Sequence, residues 1–152
     1  MKKNAALAAY MNCDAEGGLD LDRFVEHGGR MLGLADFAAL NNSLADLRKK
    51  ISTLSNQHSY LARQLEFLMS FYQANPPNVP DKVRNETIFA LLYAVKEVDL
   101  VPDDEPGVGY LDDAAVAESV LSRHAGVFEI HCDFHRIDWA ALKPEAQPQP
   151  IP

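Results

Sequence analysis

From Leu40 onward the chain repeats an apolar residue at alternating intervals of four and three: Leu40, Leu44, Leu47, Ile51, Leu54, His58, Leu61, Leu65, Leu68 and Tyr72 follow without a shift of phase, and Phe37 precedes them. Written as heptads, Leu fills every d position from Leu40 to Leu68, while Leu44, Ile51, His58, Leu65 and Tyr72 fill a. That spacing belongs to a helix with one buried stripe, because strand side chains alternate with a period of two. It predicts helix over 34–74. An unbroken helix there would be about 60 Å long at ~1.5 Å per residue, which is longer than a domain of this size is wide. The unshifted phase favours that reading, and with it a homo-oligomer assembled through residues 37–72. The alternative is a break near Ser52 to Ser59, where Ser, Thr, Asn and His lower helix propensity. The stripe would then be the ordinary core of a helical hairpin. The e and g positions, Arg48, Lys50, Ser55, Gln57, Ala62 and Gln64 among them, lack the complementary charges that fix partner and direction. His58 at an a position reads as a register-setting polar residue.

Proline and glycine divide the rest. Residues 1–33 read as a loop and a short helix from Leu19 to Leu32, weakened by Gly28-Gly29 and stopped by Gly33. Asn75-Pro76-Pro77-Asn78-Val79-Pro80 ends the heptad segment, since proline cannot continue a helix. A helix from Pro80 or Asp81 to Val98 should bury Val83, Ile88, Leu91, Leu92 and Val95, and another should run from Asp112 to about Arg136, interrupted or bent at Gly126. Residues 75–140 thus form a helical hairpin, and 141–152 a Pro-rich, disordered tail. One domain fits 152 residues better than two.

The formal charge of -8 is uneven. Residues 1–74 hold 8 basic and 8 acidic side chains, whereas 75–152 hold 6 and 14. Between Glu97 and Asp113 there are seven acids and no Lys or Arg. Such a field repels phosphate, which argues against nucleic acid and favours cations or a basic protein partner. The longest apolar run, Ile88 to Val95, has eight residues, against the ~20 that a membrane-spanning helix needs, so no membrane insertion is expected. Lys2-Lys3 before Ala5–Met11 imitates a signal peptide only faintly, because Tyr10-Met11-Asn12 offers no small-residue cleavage site. With Cys13 and Cys132 alone, the chain fits a reducing cytoplasm.

The acidic stretch carries a pattern: Ala90-Leu91-Leu92-Tyr93, then Asp99-Leu100-Val101-Pro102-Asp103, then Pro106-Gly107-Val108-Gly109-Tyr110-Leu111-Asp112-Asp113. Over about residues 85–121 it resembles the YkvA-like family, a domain of unknown function. The resemblance implies a helical hairpin with the acidic loop at its tip, and implies no activity. This chain has Lys96-Glu97 where members commonly show Ser-Pro, and Asp104-Glu105 where they carry an apolar pair. Burying those two acids in lipid would cost several kcal/mol, so the membrane association of many relatives is not expected here.

Three chemistries fit these carboxylates: helix capping, a bound cation, or acid/base chemistry on a proton retained with a raised pKa. Asp112 can cap the last long helix with Asp113 on its dipole, and Asp99 and Asp103 can cap the turn around Pro102. What capping leaves unexplained is the missing base, since two carboxylates about 5 Å apart repel by ~3 kcal/mol at an effective dielectric near 20. If Asp99, Asp103, Asp112 and Asp113 converge, a divalent cation such as Mg, Mn or Ca would neutralise them. Further along, His131 and His135 stand one helical turn apart, with His124 seven residues before the first, a weak pattern for a transition metal with Asp138 as a further ligand. Cys132 beside His131 keeps a small chance of redox reactivity.

The sequence therefore reads as an all-α cytoplasmic protein, a long heptad helix plus a hairpin with an acidic Pro/Gly loop. Its expected function is that of a non-enzymatic interaction, scaffold or regulatory module. The alternative is a divalent-metal-dependent enzyme, hydrolytic in kind, with the loop aspartates as ligands.

Overall fold

The computed structural model describes residues 21–96 and 111–142. Among them the chain is all-α: α1 Leu21–Arg30, α2 Leu34–Asn42, α3 Leu44–Gln57, α4 Ser59–Ala74, α5 Asp81–Lys96, α6 Leu111–Arg123 and α7 Ala125–His135, followed by a 3₁₀ turn at Trp139–Ala141. No helix among the described residues is long and apolar enough to cross a membrane. The acidic segment up to Tyr110 and the Pro-rich tail from Lys143 lie outside the described residues, as does Cys13.

The unbroken helix expected over 34–74 is corrected to three. Ser43 leaves the helix at φ -104, ψ 5, and His58 at φ -136, ψ 64 turns the chain back, so that α3 and α4 pack against each other. The corner falls in the polar stretch where propensity is lowest, and its cost is offset by burial. Leu40, Leu47, Leu54, Leu61 and Leu68, the five d residues, are all 4% exposed or less inside one chain. Each buried leucine contributes roughly 1.5–3 kcal/mol. Folding back thus gives the stripe within one molecule the cover that a long helix could obtain only from a second copy. The stripe is ordinary core, and an oligomer through residues 37–72 is not needed to bury it.

At the far end of α4, Asn75 adopts the left-handed conformation (φ 47, ψ 56), its N–H donating to the Phe71 carbonyl, and Pro76-Pro77 prevents continuation. Arg84 pins this linker by donating from Nε to Asn75 Oδ1 (3.1 Å) and from a terminal nitrogen to the Pro76 carbonyl (3.3 Å).

α5 is the central helix, touching α1, α2, α3, α4 and α6. Val83, Ile88, Leu91 and Leu92 are buried as the spacing predicts, Val95 is half-buried, and Glu86 and Thr87 are buried with them. α1 lies against α5, with Phe24 edge-on to Phe89 (ring centroids 5.3 Å) and Tyr93 (6.0 Å). Gly28-Gly29 is a requirement of that contact rather than a weakness of the helix. A Cβ on Gly28 would run into the Phe89 ring, and one on Gly29 would lie 2.9 Å from Glu86 Cγ.

The helix expected from Asp112 to about Arg136, interrupted or bent at Gly126, is broken two residues earlier, at His124 (φ -122, ψ 34). Phe128 and Cys132 turn inward from α7, and Phe128 meets Phe67 and Phe71 edge-on at 5.6 and 4.9 Å. Asp138 caps the 3₁₀ turn by accepting from the Ala140 N–H at 3.1 Å. The carbonyl of buried Leu142 accepts from Tyr60 Oη and Gln64 Nε2, each at 3.0 Å, which fastens the end of the turn to α4.

Candidate functional site

The helices flanking the acidic segment, α5 and α6, are joined at its base by a residue from α3. Lys50 donates to the carbonyl of Ala94 at 2.7 Å and to Asp113 Oδ2 at 2.8 Å. Ala94 lies in the last turn of α5, where carbonyls lack intrahelical partners and carry the negative end of the helix dipole, so an ammonium satisfies both needs. Asp113 stands in the first turn of α6, where a carboxylate complements the positive end. Its side chain is fully buried and that of Lys50 is 15% exposed, so the pair sits in low dielectric. Breaking a pair so placed costs about 3–5 kcal/mol.

Two sequence expectations change here. α6 begins at Leu111, so Asp113 is its third residue and not its first. The base that seemed to be missing is Lys50, 63 residues away along the chain. Of the four aspartates expected to converge on a cation, Asp113 alone has a described side chain, and it is held by an ammonium. Asp99, Asp103 and the side chain of Asp112 lie outside the described residues. Among the described residues no group of three or more His, Cys, Asp or Glu side chains is placed to share a metal ion.

A second charged node lies at the other end of α5. Glu86, 1% exposed, accepts from Arg123 through both oxygens at 2.9 Å, and His124 Nε2 lies 2.8 Å from its Oε1. Burial alone would raise the Glu86 carboxyl, but the hydrogen bonds and charges of His124 and Arg123 outweigh it and hold the group below its usual range. Arg123 is shifted up, chiefly by its bond to Glu86, so both shifts favour the charged pair. The sequence held a signal for this node: Val83, Glu86, Ala90 and Leu91 share one helical face, and a glutamate on an apolar stripe needs a partner.

The three-histidine stripe reduces to a pair, because His124 is engaged by Glu86. His131 and His135 stack with ring centroids 4.2 Å apart on the rim of an open groove of about 570 Å³ between α7 and the 75–80 linker. Its walls are apolar, with Phe71, Pro76, Val79 and Val127, and with Ile130 and Phe134, which are 72% and 82% exposed. Burial and the neighbouring His135 push the His131 imidazole down, favouring its neutral form. Cys132 is buried, and burial followed by the charges of Asp133, Asp138 and Glu129 pushes its thiol up to about 11. It is protonated at neutral pH, which removes the redox reading. Lys50, Arg123 and the groove were not anticipated; only Val127, Ile130 and Phe134, spaced as an apolar stripe, hinted at the last.

Residues 86–118 match the model of a family described as a protein of unknown function, DUF1232. Neither the curated proteins nor the solved structures compared with the chain include a match. The matched stretch opens on Glu86, passes through the acidic segment and takes in Asp113, so this part of the chain is similar to a family whose activity is uncharacterised.

Proposed function

We propose that the chain is a non-enzymatic docking module in which a YkvA-like hairpin offers its acidic segment to a basic surface of a partner protein in the cytoplasm. One observation carries the reading: Asp113 is buried against Lys50, whose ammonium also grips the end of α5. A carboxylate held this way serves the fold and leaves the metal-ligand set short of a member. The clamp ties the flanking helices together at the root of the segment. Asp99, Asp103, Asp104 and Glu105 then supply a run of like charge without an intervening base, which attracts cationic surfaces over roughly a Debye length, about 8 Å at physiological salt.

The test is fluorescence anisotropy of a labelled oligolysine peptide titrated with the full chain. Binding is expected at low salt, weakening steeply as salt rises, and lost in the Asp103→Asn, Asp104→Asn, Glu105→Gln variant at an unchanged melting temperature. Equal binding by that variant would contradict the reading. So would a rise in melting temperature with millimolar Mg, Mn or Ca that disappears in Asp99→Asn, the signature of the hydrolase alternative.

A further inference from the structure

The pair of imidazoles on α7 lies apart from the acidic segment in the chain, and among the described residues no hydrogen bond ties either ring to the fold. One turn of helix separates His131 from His135, and their rings lie at 4.2 Å and 44°. His131 is fixed from the core side, its ring edge-on to Phe71 at 4.9 Å and to Phe67 at 5.9 Å. His135 is exposed and rests against the Phe134 ring at 5.2 Å. Neither imidazole makes a hydrogen bond or ion pair with another described residue, whereas His124 is bound to Glu86. Two donors of the same kind therefore face an open groove with their nitrogens uncommitted.

We propose that His131 and His135 together chelate one divalent transition-metal ion, Zn²⁺, Ni²⁺ or Cu²⁺, at the rim of the groove. Imidazole suits these ions, whereas Mg²⁺ and Ca²⁺ require oxygen donors that the pair does not provide. Two imidazoles sharing an ion at ~2.1 Å place their centroids about 5 Å apart. The observed separation is 4.2 Å, with His131 resting on Phe71 and the partner ring of His135 exposed. Water fills the remaining positions on the ion.

The experiment uses the untagged, chelator-stripped full chain, titrated with Zn²⁺ and Ni²⁺ by calorimetry and with Cu²⁺ by NMR of the imidazole protons. One ion per chain is expected. Cu²⁺ should broaden the His131 and His135 signals first and leave those of His27, His58 and His124 intact. His135→Gln is expected to weaken Zn²⁺ binding by about tenfold or more, because the second ligand's contribution is intramolecular. Its melting temperature without metal should change little, since His135 is exposed. An affinity in His135→Gln equal to that of the unmodified chain, or broadening centred on another histidine, overturns the proposal.

Discussion

Leu54→Asp is expected to unfold the protein, not to separate folded subunits. Leu54 is 1% exposed and belongs to the core in which α3 packs on α4 and α5. The substitution removes a buried leucine, worth roughly 1.5–3 kcal/mol, and places a carboxylate in an apolar site that is 1% exposed. Together these terms reach about 5 kcal/mol or more, the lower end of a domain's whole stability. Circular dichroism should show loss of helix or a collapse of the urea midpoint. Leu34→Asp, at a position 84% exposed, should melt like the unmodified chain. A folded, monomeric Leu54→Asp protein would mean that the stripe is an interface between copies.

The same residues show what was legible and what was not. Every d leucine was correctly assigned to a buried face, because a 4-3 spacing dictates which side of a helix is apolar. Whether that face meets another chain or its own continuation is a separate question. A corner at His58 shifts no apolar position, so the phase runs through it unchanged. The low helix propensity around Ser52–Ser59 is the local signal for the corner, and it outweighs the continuity of the repeat. Gly28-Gly29 misled for a related reason: propensity registers the missing side chains as a cost, while the closeness of α5 makes them necessary.

The second large effect is expected at Glu86. Removing it in Glu86→Ala leaves the Arg123 guanidinium, 18% exposed, and His124 without the carboxylate that both engage, and should cost about 3–5 kcal/mol. Glu86→Gln keeps the shape and part of the hydrogen bonding, so its loss should be smaller. The pH dependence follows from the direction of the shift. The Glu86 carboxyl is held below its usual range, so its stabilisation is fully present above the ordinary glutamate value, roughly pH 4.3. It is lost as the pH falls through the lower value of the folded state. Urea unfolding of the unmodified chain should therefore lose more stability between neutral and acid pH than unfolding of Glu86→Gln. Parallel losses in the two proteins would mean that Glu86 does not carry this linkage.

The acidic segment shows a different limit of sequence reading. Counting charges along the chain from Glu97 to Asp113 finds no base, and repulsion among the acids then argues for a bound cation. Folding changes the sum, because α3 brings Lys50 to the root of the segment. As a heptad g residue, Lys50 belonged to a stripe treated as self-contained, so nothing local connected it with Asp113. A polar residue beside one element's apolar stripe is positioned to serve the neighbour that the stripe packs against. That neighbour is identified only once the hairpin of α3 and α4 is known.

The central claim, that Asp113 serves the fold through Lys50, is tested most directly by a double-mutant cycle on urea unfolding with Lys50→Met, Asp113→Asn and the pair together. If the ion pair is the role of Asp113, each single variant loses stability and the double variant loses far less than the sum, a coupling of about 2 kcal/mol or more. Losses that add within about 0.5 kcal/mol, with Asp113→Asn abolishing a stabilisation by Mg or Mn seen in the unmodified chain, would contradict it and return Asp113 to a metal site.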